Sequence, residues 1–328
     1  MQVLVEVERS GLVESRHLGV AVACDPDGRV AAALGDPELV VYPRSCAKPF
    51  QALAVLRLGA GERLGLGAEA LASACGSHTG EPVHVRAVGR TLAAIGLDEG
   101  ALRCPADLPA HPDARAAAAA EPRRVYHNCS GKHAWMLAGA VARGWPVEDY
   151  LDPGHPVQQA ISRALALWTG EESGHVGCDG CGAPTAALSL RGLATAYARL
   201  GARAVTGEGG PAALVAALRD HPLLIRGSGQ LDSLLPEVAG GRLVAKTGAE
   251  AVYGAANLAS GQGLALKVLD GGARAGAPAL LAVMRALGWL DEEELAALLP
   301  AAVAPVTGGG RPVGQVRPAS VAALPAAG

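Results

Sequence analysis

At the start of the chain Val5 and Val7 alternate with Glu6 and Glu8, after Val3 and Leu4, which is the period-two pattern of a half-buried strand. Apolar runs at 18–24 and 29–34 flank Asp25-Pro26-Asp27-Gly28, turn residues that predict a hairpin, and Tyr42-Pro43 closes the strand region. From Ser45 the period changes. Phe50, Leu53, Ala54, Leu56 and Leu58 predict an apolar helix that stops near Gly59. Val85, Val88, Leu92 and Ile95 follow Pro82 at spacings of three and four, predicting another. Further helices are predicted at 132–142, 157–168, 188–200, 211–219 and 278–287, with a short helical Ala run at 116–120. Strand character returns at 242–246 and 264–269. Residues 300–328 are rich in Ala, Pro and Gly, so order there is expected to be partial.

Strands at both ends with helices between them predict an α+β fold whose first and last strands meet in one antiparallel sheet. The sheet is expected from about residues 1–44 and 240–320, and a helical lobe from about 45–239. No repeat or linker interrupts the pattern, so a single domain over 1–328 is expected.

Composition narrows the function. The 328 residues carry 28 Lys and Arg against 31 Asp and Glu, a net charge of −3, which leaves no basic stripe for nucleic acid and no polybasic membrane patch. No apolar stretch is long enough to span a bilayer and no signal peptide is visible. Seven cysteines spread along the chain are not a secreted disulfide framework, so a reducing cytoplasm is expected. Lysine occurs only at Lys48, Lys132, Lys246 and Lys267, and the other basic residues are Arg. Arg stays protonated in a protein while a buried Lys need not, so the surviving lysines are candidates for a base or a ligand.

All four lie in motifs. Pro43-Arg44-Ser45-Cys46-Ala47-Lys48-Pro49 holds Ser-x-x-Lys at a strand-to-helix junction, where helix-start N–H groups favour an oxyanion and a Lys one turn on can take the serine proton. The plain alternative is an N-cap serine and a solvated lysine. Gly76-Ser77-His78-Thr79-Gly80-Glu81 offers hydroxyls and backbone N–H groups, though alone it reads as a helix–helix connection. Asn128-Cys129-Ser130-Gly131-Lys132-His133 lacks the glycine and hydroxyl of a phosphate loop, and Cys129 and Lys132 one turn apart can hold a borderline metal. Cys178-Asp179-Gly180-Cys181 is a redox pair, half a metal site, or a tight turn with an inert cysteine. Lys246-Thr247-Gly248 and Lys267 sit on late strands, the former as in penicillin-recognising enzymes.

Taken in order, Pro43-Arg44-Ser45-x-x-Lys48-Pro49, Ser77-His78-x-Gly80-Glu81, Asn128-Cys129-Ser130-Gly131-Lys132-His133, Asp179-Gly180-Cys181-x-Ala183-Pro184-Thr185, Lys246-x-Gly248-Ala249-Glu250 and Ala265-Leu266-Lys267-x-x-Asp270-Gly271 resemble the Rhizobium-type (class 3, asparaginase II) L-asparaginases over about residues 3–318. The resemblance implies a fold similar to serine β-lactamases and glutaminases, a homodimer, and hydrolysis of L-asparagine to L-aspartate and ammonia. It implies one Ser-Lys tandem in Ser45 and Lys48 and a second in Ser77 and Lys267, with Lys246 a rival for the last position. It also implies a zinc ion held by Cys129, Lys132 and Cys181. Asp179, for the substrate ammonium, and Arg44, for its carboxylate, are expected at the substrate, with His133 and Lys246 beside them. Two other readings remain: a β-lactamase or penicillin-binding type serine hydrolase, and a zinc- or redox-responsive binding protein using Cys129, Cys178 and Cys181.

Overall fold

The computed structural model describes residues 1–319. It is an α+β protein whose chain divides into two compact units, one formed by Met1–Cys46, Leu188–Ala202 and the residues from Gly229 onward, the other by Ala47–Ala187 and Arg203–Ser228.

The first unit is built on an eight-stranded antiparallel sheet. Its order runs Pro305–Gly308, Arg311–Pro318, Gln2–Arg9, Leu12–Cys24, Gly263–Val268, Val252–Asn257, Leu243–Gly248, with Val30–Leu34 added to the Leu12–Cys24 strand. The first strand therefore pairs with the last, Val5 opposite Pro318 and Val7 opposite Val316. The hairpin at Asp25–Gly28 forms as its turn residues predict, closed by Asp25 N–H to Arg29 O at 2.9 Å. Alternation sends neighbours to opposite faces. Tyr253 packs against Gly276 of the helix Ala273–Ala286, while at Gly254 a side chain would collide with Tyr197 of the helix that starts at Leu190. Helices thus cover both faces, and the core lies between the sheet and the helices Leu231–Val238, Ala273–Ala286 and Glu292–Ala302.

The second unit is helical. Its centre is Ser130–Arg143, in which all but two residues are buried, with Lys48–Arg57, Ala68–Cys75, Pro82–Ala94 and Pro156–Thr169 around it. The Trp135 indole N–H donates to Ala52 O at 3.0 Å, and the rings of Phe50 and Trp168 meet at 5.7 Å.

Four of the predicted elements come out differently, and the strand Val252–Asn257 and the helices Ala68–Cys75, Leu231–Val238 and Glu292–Ala302 form without having been predicted. Leu188–Ser189 is a strand pairing Val40–Val41, so the helix begins at Leu190. The Ala run gives helix only to Ala117, and Ala119 and Ala120 take positive φ, ending it. Pro278 lies inside Ala273–Ala286 rather than at its start; the Pro costs one helix bond there. Residues 305–318 form a hairpin through Gly309-Gly310, both at positive φ, where partial order was expected. The part of that expectation covering 320–328 lies outside the described residues.

Candidate active site and thiol–amine cluster

Lys48 opens its helix, and Pro49 occupies the first turn, where a missing N–H costs nothing. The Lys48 side chain is 1% exposed. Its Nζ donates to the Gly76 carbonyl oxygen and lies 3.0 Å from Ser77 Oγ and 3.3 Å from the Asn128 carbonyl oxygen. All three oxygens are placed to accept from the lysine amine.

Backbone pairing brings Ser77 to that position. The helix Ala68–Cys75 ends in extended backbone at Gly76, where a Cβ would collide with Leu224 O. Ser77 N–H then donates to Ile225 O at 2.8 Å and Thr79 N–H to Arg226 O at 2.9 Å. Glu81 holds the far end of the pairing: its carboxylate accepts from Ser228 Oγ at 2.6 Å, Ser228 N–H at 3.1 Å and Thr79 Oγ at 2.7 Å. Burial favours its neutral form, but these bonds outweigh it and hold the Glu81 carboxyl below its ordinary range. The segment is more than a connection between helices, and nothing in its own residues announces the partner segment at Ile225 and Arg226.

His78 is locked in a neutral form. Ser130 Oγ donates to Val125 O at 2.9 Å, so it accepts from His78 Nε2 at 2.8 Å, while His78 Nδ1 accepts from Gly80 N–H at 3.2 Å. Burial pushes the imidazole well below the usual histidine range.

One helix away, Cys129 caps Ser130–Arg143. At Gly131 a side chain would strike Ser73, so this glycine lets the two helices approach. The other half of the cluster comes from a tight loop, with Asp179 N–H on Ala183 O at 2.9 Å and Gly182 at φ +86°. Cys129 Sγ, an Asp179 oxygen and Cys181 Sγ lie within 4.8 Å of one another. Lys132 Nζ donates to Cys181 Sγ at 3.0 Å and is 3.9 Å from Asp179 Oδ2. Cys178 is exposed, outside this group.

The cluster is internally charged. A hydrogen bond from Cys181 holds the Cys129 thiol well below its usual range despite burial, and the same bond, with burial, pushes Cys181 up. Burial favours neutral Lys132, yet Cys129, Cys181 and Asp179 outweigh it and raise the lysine. Two sulfurs and an amine with a carboxylate beside them are a donor set that fits a borderline cation such as zinc, which would displace protons from Cys181 and Lys132 on binding.

His133, next to Lys132, is fully buried. Tyr150 OH accepts from Arg103 N–H at 2.9 Å and so directs its own proton to His133 Nδ1, 2.6 Å away. The ring proton is then on Nε2, which has no hydrogen-bond partner among the described residues.

In the first unit, Ser45 lies in the single 3-10 turn Arg44–Ala47, and Arg44 holds φ +49°, a conformation non-glycine residues rarely take. The turn is pinned through Cys46, whose Sγ donates to Lys246 O at 3.1 Å and whose carbonyl accepts from Tyr197 OH at 2.9 Å. Gly248 is required here: a Cβ would stand 2.8 Å from Pro43 O. Lys246 is 2% exposed and its Nζ lies 3.4 Å from Asp232 Oδ2, which also accepts from Thr247 N–H at 2.8 Å. Asp232 is 1% exposed and its Oδ1 has no partner among the described residues. No sequence signal marked Asp232, a single acid at the start of the helix Leu231–Val238.

Lys267, in the first unit, is partly exposed and donates to Glu250 O at 2.6 Å and to Val268 O. Burial lowers its pKa. Asp270, three residues on, anchors the turn by accepting from Gly272 N–H at 2.9 Å and from His17 Nδ1 at 2.6 Å.

A buried lysine on a serine hydroxyl, with a thiol–amine cluster in the same unit, is an arrangement suited to acyl transfer. The L-asparaginase II family matches residues 5–318 of the 328-residue chain. The chain belongs to that family and is an amidohydrolase by class. None of the curated proteins matches it. No helix among the described residues is long and apolar enough to cross a membrane.

Proposed function

We propose that this protein hydrolyses L-asparagine to L-aspartate and ammonia through a serine acyl-enzyme, on a fold of the serine β-lactamase and glutaminase type. The observation that carries the reading is the 3.0 Å approach of buried Lys48 Nζ to Ser77 Oγ. A serine is a weak nucleophile until a base takes its proton, and a lysine with two carbonyls on its N–H groups is arranged to do so. Ser45 or Ser77 attacks the side-chain amide carbon, the amide nitrogen leaves as ammonia with a proton from lysine, and water then opens the β-aspartyl ester. Ser45, Lys48, Ser77 and Lys267 are assigned to this chemistry, with Lys246 the rival of Lys267.

Arg44 and Asp179 are assigned to the substrate carboxylate and ammonium, with His133 and Lys246 beside them. The His133 Nε2–H, unpaired among the described residues, is a donor available to a ligand oxygen or water. Zinc on Cys129, Lys132 and Cys181 would supply a fixed positive charge that orients substrate. A cytoplasmic homodimer is part of the same proposal.

Ammonia release with L-asparagine, L-glutamine and D-asparagine side by side, and nitrocefin turnover in parallel, tests it. Ammonia from L-asparagine supports the reading. Nitrocefin turnover without ammonia favours a penicillin-recognising hydrolase, and inactivity on all four favours a binding protein.

A further inference from the structure

All seven cysteines are free, and six are buried. Cys24, Cys46 and Cys104 donate to backbone carbonyls, of Arg191, Lys246 and Arg124 respectively. Cys129 and Cys181 are different, because each has the other's sulfur as a neighbour, within 4.8 Å. We infer that this pair is also a reversible oxidation site, closing to a Cys129–Cys181 disulfide whenever no metal holds the two sulfurs.

The local backbone allows the closure. A disulfide needs the sulfurs at about 2 Å, so each must move by a small amount. Cys129 is the N-cap of Ser130–Arg143, held to the helix through its carbonyl, which accepts from His133 N–H at 3.1 Å, while its side chain makes no cap bond. Cys181 sits between Gly180 and Gly182 in a loop whose surface residues are exposed, and Gly182 is in the left-handed region. Cys129 is 4% and Cys181 1% exposed, so a small neutral oxidant such as hydrogen peroxide would have to pass that loop to meet the pair. One sulfur attacks the peroxide, forming a sulfenic acid and releasing water. The second thiol attacks that sulfur, the S–O bond breaks, and a second water leaves. The two thiols lose two electrons and two protons, and one peroxide is reduced to two waters.

A metal and the disulfide cannot occupy the pair together, since the metal needs both sulfurs as thiolates. Oxidation therefore blocks metal uptake, and bound metal protects the thiols. Cys178 is the internal control: it is exposed and three residues from Cys181, and its Sγ donates to the Asp179 carbonyl at 3.6 Å.

The test is peptide mapping by mass spectrometry of the whole protein after mild peroxide, once zinc-loaded and once after a chelator and buffer exchange. The chelated protein is expected to yield a Cys129–Cys181 linked peptide, to lose both thiols to alkylation, and to refuse added zinc until dithiothreitol restores it. The zinc-loaded protein is expected to keep both thiols, and Cys178→Ser is expected to link as well as the unaltered chain. A Cys178–Cys181 link, a Lys132–Cys181 link, sulfinic acid with no link, or unmodified thiols in the chelated protein would each overturn the inference. The loaded arm depends on the zinc assignment above and the chelated arm does not, so the two failures are distinguishable.

Discussion

Lys48 Nζ stands 3.0 Å from Ser77 Oγ, although the two residues come from different helix boundaries and are 29 positions apart. The contact joins the lysine of the Ser-x-x-Lys motif to the first serine of the Ser-His-x-Gly-Glu motif, both residues lying in the second unit. Lys48→Arg keeps the charge but removes the capacity to act as a base. It is expected to lower kcat by about three orders of magnitude or more, as is Ser77→Ala. Steady-state ammonia release checks both, and near-normal kcat in Lys48→Arg would refute the proton-transfer role.

Asp179 lies 3.9 Å from Lys132 Nζ and 3.6 Å from Cys181 Sγ. If zinc and Asp179 hold the substrate rather than react with it, their loss acts on binding. Asp179→Asn, and separately chelation, is expected to raise KM for asparagine at least about tenfold while kcat falls much less. A fall in kcat alone, with KM constant, would place both elsewhere in the reaction.

The buried Lys246–Asp232 pair makes a stability prediction. Asp232→Ala leaves a buried ammonium without its carboxylate, and breaking such a pair costs about 3–5 kcal/mol. Urea unfolding followed by circular dichroism measures it, and a loss below about 1 kcal/mol would mean that the cavity admits water to Lys246.

His78 and His84 set a pH window. Both are held below the ordinary histidine value of 6.5, first by burial. Protons are then bound more readily by the unfolded chain, so stability rises with pH through this window. Their contribution is complete above about pH 6.5 and is lost as pH falls toward the depressed folded values. Unfolding midpoints from pH 8 down to 5 are expected to fall, and the slope is expected to flatten in His78→Gln. A flat profile in the unaltered protein would contradict the locked neutral rings.

Local pattern reached much of the fold because local chemistry decides it. The Asp25–Gly28 turn and the helices around residues 50, 88 and 137 each announce themselves by period and punctuation. Pro278 misled because a proline suits a first turn, and a helix whose packing is strong enough tolerates it further in. The site was legible as residues but not as contacts. Four lysines in motif settings pointed to Lys48 and Lys132, yet their spacing does not show that the pairing of 77–79 with 225–226 sets Ser77 beside Lys48. Asp232 and Tyr150 gave no signal, because their roles come from what the tertiary fold sets beside them.

The central claim is a covalent serine intermediate formed from asparagine. Rapid quenching during the first turnover, with ammonia assay and peptide mapping of the quenched protein, tests it most directly. A burst of about one ammonia per active site, with an aspartyl ester on Ser45 or Ser77 that Lys48→Arg fails to form, is the predicted result. Ammonia released at full rate with both serines unmodified at every time point, and with Ser45→Ala and Ser77→Ala still active, would contradict it.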